Sequence, residues 1–231
     1  MQHLDLHSWD LTPREARALQ EELATRVDSI TPLGRCEKIG AVDVSADRWD
    51  RMLTAGVVVW DVAEQRVIER AVVQTPAKFP YVPGLLSFRE APAILAACEQ
   101  ITMEPDLIIC DGQGMAHPRR FGLACHLGLW LDRPTIGCAK SRLCGTHMEP
   151  PGSRGGCVPL WDGEEMIGAV LRTRSGCKPL YASVGHHCRL EDAVELILRL
   201  ASKFRQPEPI RQVHQLVYET RREFMRSRGK S

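Results

Sequence analysis

Two short apolar stretches, residues 106–110 and 135–139, flank a helical pattern at 119–131, and this arrangement restricts the chain more than any other feature. A strand that is apolar along its length must be covered on both faces, which calls for a parallel or mixed sheet between layers of helix. Strand, helix, strand in that order makes the two strands parallel neighbours. Upstream, residues 38–45, 55–61 and 67–74 are β-rich stretches with short polar connections, the pattern of a three-stranded antiparallel meander. Thr12-Pro13-Arg14-Glu15 opens a helix over about 13–27, read as an N-terminal outrigger. Ser87-Phe88-Arg89-Glu90 repeats the capping-box signature and opens a helix to about residue 103. Between them, prolines 76, 80 and 83 with Gly84 make residues 75–86 a stiff surface loop. The remaining signals are a loop at 148–156, strands at 167–172 and 180–184, and amphipathic helices at 190–204 and 211–225.

The whole chain, 1–231, therefore reads as one α/β domain: a mixed central sheet, meander plus parallel strands, flanked by helices in a ribonuclease H-like layout. In that layout the first strand lies centrally, beside the strand that ends in Asp111, so their C-terminal ends meet. At 44% apolar and 26% charged residues the chain is not a disordered or fibrous protein. It has no apolar run of the roughly 20 residues that cross a bilayer, and nothing resembling a leader, which predicts a cytoplasmic protein without membrane partners. Nine cysteines with no Cys-x-x-Cys pair point to free thiols rather than a disulfide framework or zinc ribbon. The net charge is only +1, yet residues 112–147 hold five bases against one acid and residues 199–231 nine against three. These basic regions, including a tail at about 219–231, could face a polyanion or be merely solvated.

Asp43 interrupts the apolar run Ile39-Gly40-Ala41-Val42-Asp43-Val44, where an unpaired acid would cost several kcal/mol. With Asp111 at the neighbouring strand end, two carboxylates repel until a divalent cation lies between them, and oxygen ligands at a strand edge suit Mg²⁺. The bland alternatives are a buried arginine partner for Asp43 and a turn start for Asp111. Glu90 is either a third acid over the same strand ends or only a capping-box residue. Lys140 follows an apolar strand and either stabilises a phosphate there or is solvated. His214 is a base, a water-positioning group or a structural helical histidine. Tyr81 stands in a proline-stiffened loop, Pro80-Tyr81-Val82-Pro83, as a stacking or wedge ring or as a cap on the core. Gly84, Gly112 and Gly114 would let a flat ligand approach backbone, and His117, Arg119 and Arg120 at a helix start suit phosphates.

The segments Tyr81-Val82-Pro83-Gly84-Leu85-Leu86-Ser87-Phe88-Arg89-Glu90, Asp111-Gly112-Gln113-Gly114, His117-Pro118-Arg119-Arg120 and Pro134-Thr135-Ile136-Gly137-Cys138-Ala139-Lys140 closely resemble endonuclease V, the deoxyinosine endonuclease, from the first helix to about His214. The resemblance implies Mg²⁺-dependent hydrolysis, with Mn²⁺ as an alternative ion. The bond cut is the second phosphodiester 3′ to a deaminated base, chiefly hypoxanthine, leaving 3′-hydroxyl and 5′-phosphate ends. It implies DNA containing deoxyinosine as the partner, with inosine in RNA as a further substrate; a monomer is expected separately. By the same resemblance Asp43 and Asp111 are metal ligands, Glu90 the third acid, Lys140 the phosphate-side cation, and His214 the metal-site histidine of some members. Tyr81 is the strand-separating wedge, and Gly84, Leu86, Gly112 and Gly114 line the pocket for the flipped base. Val82 replaces the usual isoleucine, and Cys138 and Ser141 depart from the pattern around Lys140. Two other readings remain: a different nuclease of this layout, such as a hybrid ribonuclease or junction resolvase, and a metal-free nucleic-acid-binding module.

Overall fold

In a computed structural model, which describes residues 1–46 and 51–228, eight strands form one sheet in the order β3-β2-β1-β4-β5-β8-β7-β6. The meander is β1 (Lys38–Ser45), β2 (Met52–Asp61) and β3 (Arg66–Pro76), antiparallel throughout. The two apolar strands β4 (Leu107–Cys110) and β5 (Thr135–Ala139) are parallel to each other, and β4 is parallel to β1. An antiparallel set of β6 (Cys157–Asp162), β7 (Glu165–Leu171) and β8 (Leu180–His186) completes the sheet by pairing β8 with β5. This mixed sheet with helices on both faces is the ribonuclease H-like architecture. Among the described residues all nine cysteines are free thiols, and no helix is long and apolar enough to cross a membrane.

The helices are α1 (Pro13–Ala24), α2 (Leu86–Cys98), α3 (Leu123–Leu131), α4 (Leu190–Leu200) and α5 (Glu208–Arg228). Side chains alternate between faces along a strand, and the alternation divides the core in two. Val42 and Cys110 face α2 and α3, whereas Ile39, Ala41, Leu107, Ile109, Ile136 and Cys138 face α4 and α5. Continued by two residues per step, the second set arrives at Asp43, Asp111 and Lys140. Three candidate site residues from three adjacent strands thus fall on the α5 face of the sheet, at its C-terminal edge.

Several local expectations change. The first helix is no outrigger: its Ala16, Gln20 and Leu23 are buried beneath the proline loop and the segment after β4. Ser87 does not cap α2, because Leu85 is the N-cap residue and makes no side-chain bond; the Ser87 hydroxyl instead meets His126 Nδ1 at 3.0 Å. The third helix begins at Leu123 rather than at 119, leaving His117, Arg119 and Arg120 in the preceding loop. Strand β6 carries no clear signal in the sequence, since Pro159 interrupts its pattern; the strand lies at the sheet edge, where a missing N–H costs no ladder bond. Residues 229–231 of the basic tail lie outside the described residues.

Candidate active site

Gly56 of β2 is paired with Asp43 across the meander, and its missing side chain is where α5 docks. A Cβ there would stand 2.6 Å from Val217 Cγ1 and 3.5 Å from Val213 Cγ2. This close seat puts His214, the residue after Val213 on α5, over the end of β1. Its Nδ1 lies 2.7 Å from Asp43 Oδ2, while Asp43 Oδ1 accepts the Val44 N–H at 2.8 Å. Lys140 Nζ donates to Asp111 Oδ2 at 2.5 Å.

The electrostatics follow from crowding carboxylates in a dry place. Burial and the charge of Asp43 push the Asp111 carboxyl above its usual range, with Lys140 opposing the rise. The hydrogen bond to Asp43 raises His214 above an ordinary histidine. Burial, then Asp43 and Asp111, push Glu90 up to about 8. A site that draws an ammonium against one acid and an imidazole against the other is one that favours positive charge. The ligating atoms of Asp43, Asp111 and His214 all lie within 4.8 Å of one another. Two carboxylates and one imidazole so placed fit a divalent cation that keeps open positions. Glu90 is not in that tight group, but it lines the same cavity from the α2 side.

The cavity beside the carboxylates measures about 360 Å³. Gly84, Leu86 and Gly112 line it. Gly114 does not: a Cβ on it would lie 2.0 Å from the Val184 carbonyl oxygen, so this glycine lets the loop press against β8. Residues not singled out from sequence complete the wall, among them Gln113, Phe121, Arg142 and Leu143. The turn after Lys140 carries Arg142 and Leu143, and no motif in the sequence marks it. Gln113 has a readable place within Asp111-Gly112-Gln113-Gly114, and its amide Nε2 donates to the Ser141 carbonyl at 2.9 Å, tying the two walls together.

At the cavity mouth Tyr81 is 46% exposed, so it is not a cap on the core; Phe79, only 4% exposed, takes that part. Val82 packs inward beside Phe79 and Leu85, and Pro80 and Pro83 are exposed. The loop turns at Gly84, whose φ of +77° favours glycine. Its carbonyl accepts from Gln20 Nε2 (3.1 Å), His117 Nε2 (3.0 Å) and Arg119 Nη2 (2.7 Å). His117 accepts the Arg119 N–H at Nδ1, and burial with the nearby arginines lowers its pKa to about 4. Arg120 reaches the other way, to Asp162 (2.9 Å) and Glu165 (2.8 Å) of the β6–β7 hairpin. These three residues hold the pocket wall and the hairpin from the loop before α3, and not from the helix start expected of them.

Comparison with known proteins agrees with this architecture. The endonuclease V family model matches residues 19–215. An endonuclease V of Alkalilimnicola ehrlichii is 45% identical over 212 residues, covering 91% of this chain and 93% of its own. The crystal structure of an endonuclease V from Streptomyces avermitilis superposes with a TM-score of 0.89 at 42% identity, over 94% of this chain and 96% of that one. An endonuclease V of Ciona intestinalis, crystallised with a 24mer DNA containing an inosine followed by a ribo-adenosine, shares the fold at a TM-score of 0.78 and 23% identity, over 91% and 98% of the two chains. A match that runs through every element bearing the carboxylates, the lysine and the proline loop, at 42–45% identity over nine-tenths of the chain, places this protein in the endonuclease V family.

Proposed function

We propose that the chain is a metal-dependent endonuclease that recognises deoxyinosine in DNA and hydrolyses the second phosphodiester bond on its 3′ side. The observation that carries the reading is the joining of three elements: a carboxylate–imidazole group fit for a cation, a cavity of about 360 Å³ beside it, and an exposed aromatic at the cavity mouth. The inosine-containing DNA bound by the Ciona relative supports the choice of lesion, and the position of the cut follows the family resemblance.

Asp43 and Asp111 would hold the ion, taken to be Mg²⁺, with Glu90 as the third acid behind them. When bound, a divalent cation supplies Lewis-acid charge against the phosphate and activates the nucleophile. Lys140, whose ammonium donates to Asp111 at the cavity wall, would stabilise developing charge on a phosphate there. His214, anchored to Asp43 through Nδ1, keeps Nε2 free to hold or move a proton. Tyr81, stiffened by Pro80 and Pro83, fills the gap left when the base turns out, and Gly84, Leu86 and Gly112 receive that base against backbone. His117 and Arg119 contribute by holding the Gly84 carbonyl in place.

The test uses one inosine-containing and one undamaged oligonucleotide, each with Mg²⁺ and with EDTA. Cleavage is expected only at inosine and only with Mg²⁺, and Asp43→Asn and Asp111→Asn should fall to the background rate while remaining folded. Equal cutting of both oligonucleotides would instead assign a general nuclease of this layout, and binding without cutting a non-catalytic module.

A further inference from the structure

Helix α5 extends well past the catalytic neighbourhood: the family match stops at residue 215, one beyond His214, whereas the helix continues to Arg228. Its sheet side is Ile210, Val213 and Val217, all fully buried. Its outer side carries charges of both signs, unevenly placed about the axis. His214, Tyr218 and Arg222 succeed one another at four-residue spacing, so they share one face, drifting about 80° over some 12 Å of helix. Met225 falls on the same face, about 20° from His214. Glu219 and Glu223 lie about 140–180° around the axis from His214. The face shared with His214 therefore carries an aromatic and a cation and no acid.

The side chains on that face are displayed rather than buried. Tyr218 is 48% exposed and Met225 57%. The Arg222 guanidinium lies 5.4 Å from the centre of the Tyr218 ring, within cation–π range. Among the described residues no carboxylate pairs with Arg222. An exposed ring backed by a guanidinium, one to two helical turns from the histidine that reaches Asp43, matches what a polynucleotide strand offers: a base face and the next phosphates. Along B-form DNA one strand presents a phosphate about every 3.4 Å, so 12 Å of helix spans about three to four nucleotides.

The geometry points to Tyr218 and Arg222 as a second nucleic-acid contact, in which α5 grips the strand that continues from the scissile phosphate, Tyr218 stacking on a base and Arg222 neutralising one phosphate. This extends the endonuclease reading above and rests on it for the identity of the strand, but the contact itself is blind to the lesion. Its occupant is the substrate strand, because the face is continuous with His214 and its charge is complementary to phosphate.

Full-length Tyr218→Ala and Arg222→Ala should be compared with wild type in binding titrations over a range of salt, in EDTA so that nothing is cut, using inosine-containing and undamaged oligonucleotides. Tyr218→Ala should weaken binding of both about 10-fold without altering the salt dependence. Arg222→Ala should weaken both and reduce the slope of log K against log salt by about 0.7–0.9, the signature of one lost phosphate contact. Arg66→Ala, which removes the same charge at the opposite end of the strands, should leave the slope unchanged. In turnover with Mg²⁺ both variants should raise KM while keeping kcat within about two-fold. Unchanged affinity and slope in both variants, or a loss confined to kcat, would overturn the α5 contact. Wild-type cleavage measured in parallel separates the two readings. Weaker binding of undamaged strand by the variants upholds the contact whatever the wild type cuts, and inosine-dependent cutting with unaltered binding removes the contact alone.

Discussion

Glu90 shows how one side chain changes meaning once its neighbours are placed. Its spacing from Ser87 predicts a capping box, but the cap of α2 is Leu85 and the Ser87 hydroxyl faces His126. Helix capping therefore gives no account of this carboxyl. It sits in desolvated surroundings, beside the charges of Asp43 and Asp111, and is pushed up to about 8. A carboxyl in such a place weakens the metal-free fold, since ionising it costs burial energy and adds repulsion. Glu90→Gln keeps the shape and removes that burden. The variant should melt at the wild-type temperature or above, yet cut inosine-containing DNA about 10- to 100-fold more slowly, the size of effect seen when an outer partner of a metal site is lost. A cutting rate within two-fold of wild type would remove Glu90 from the site, and a melting point several degrees lower would make it structural.

At the scale of elements, the site depends on how closely α5 can approach the meander, and Gly56 sets that distance. A methyl group there would press on Val217, a β-branched side chain with little rotamer freedom. Gly56→Ala should destabilise the chain by about 1–3 kcal/mol through overpacking and slow cleavage by displacing His214 from Asp43. Adding Val217→Ala makes room, so the double variant should recover most of the rate even if its stability stays low; thermal melts and cleavage rates on the two variants decide this. A rate that stays depressed in the double variant would mean that His214 does not depend on this seat. The dependence on Gly56 is not legible in the sequence, because a glycine in a strand has several possible uses and its partner lies some 160 residues away. What is legible follows from period-two alternation and apolar runs: β1, β4, β5, their parallel pairing, and Asp43 and Asp111 at adjacent strand ends. What is not legible depends on tertiary contacts that override local signals. The Ser87 motif is filled by His126, and Arg119 and Arg120 are drawn to Gly84 and to the β6–β7 hairpin before α3 starts. Strand β6 needs the β7 partner to appear despite Pro159.

Across the whole molecule, peripheral segments are fastened to the sheet through histidines that must stay neutral. His126, fully buried, lies between His7 Nε2 at 2.8 Å and the Ser87 hydroxyl, joining the N-terminal segment to α2 and α3. His117 fastens the proline loop through Gly84. His186 Nδ1 accepts the Asp28 N–H at 3.1 Å, holding the α1–β1 connection against the end of β8. Burial is the first cause of a lowered pKa in each: well below the ordinary value for His126, and to about 4 for His117 and His186. The sign is therefore common to all three. In the unfolded chain these rings take up protons near pH 6.5, while the folded ones resist until much lower pH, so their contribution is complete above about 6.5 and lost as pH falls toward 4. Groups at the candidate site act in the opposite sense, since Glu90, Asp111 and His214 are raised, and a simple stability profile mixes the two. Differences between chains separate them. His117→Gln, His126→Gln and His186→Gln should each be less stable than wild type at pH 7.5. That gap should shrink by roughly 1 kcal/mol or more at pH 4.5, one pKa unit being worth about 1.4 kcal/mol, because the active-site groups are the same in both chains and cancel. Urea midpoints of the metal-free proteins at the two pH values measure it, and a gap that stays constant would mean that these rings are not held neutral by the fold.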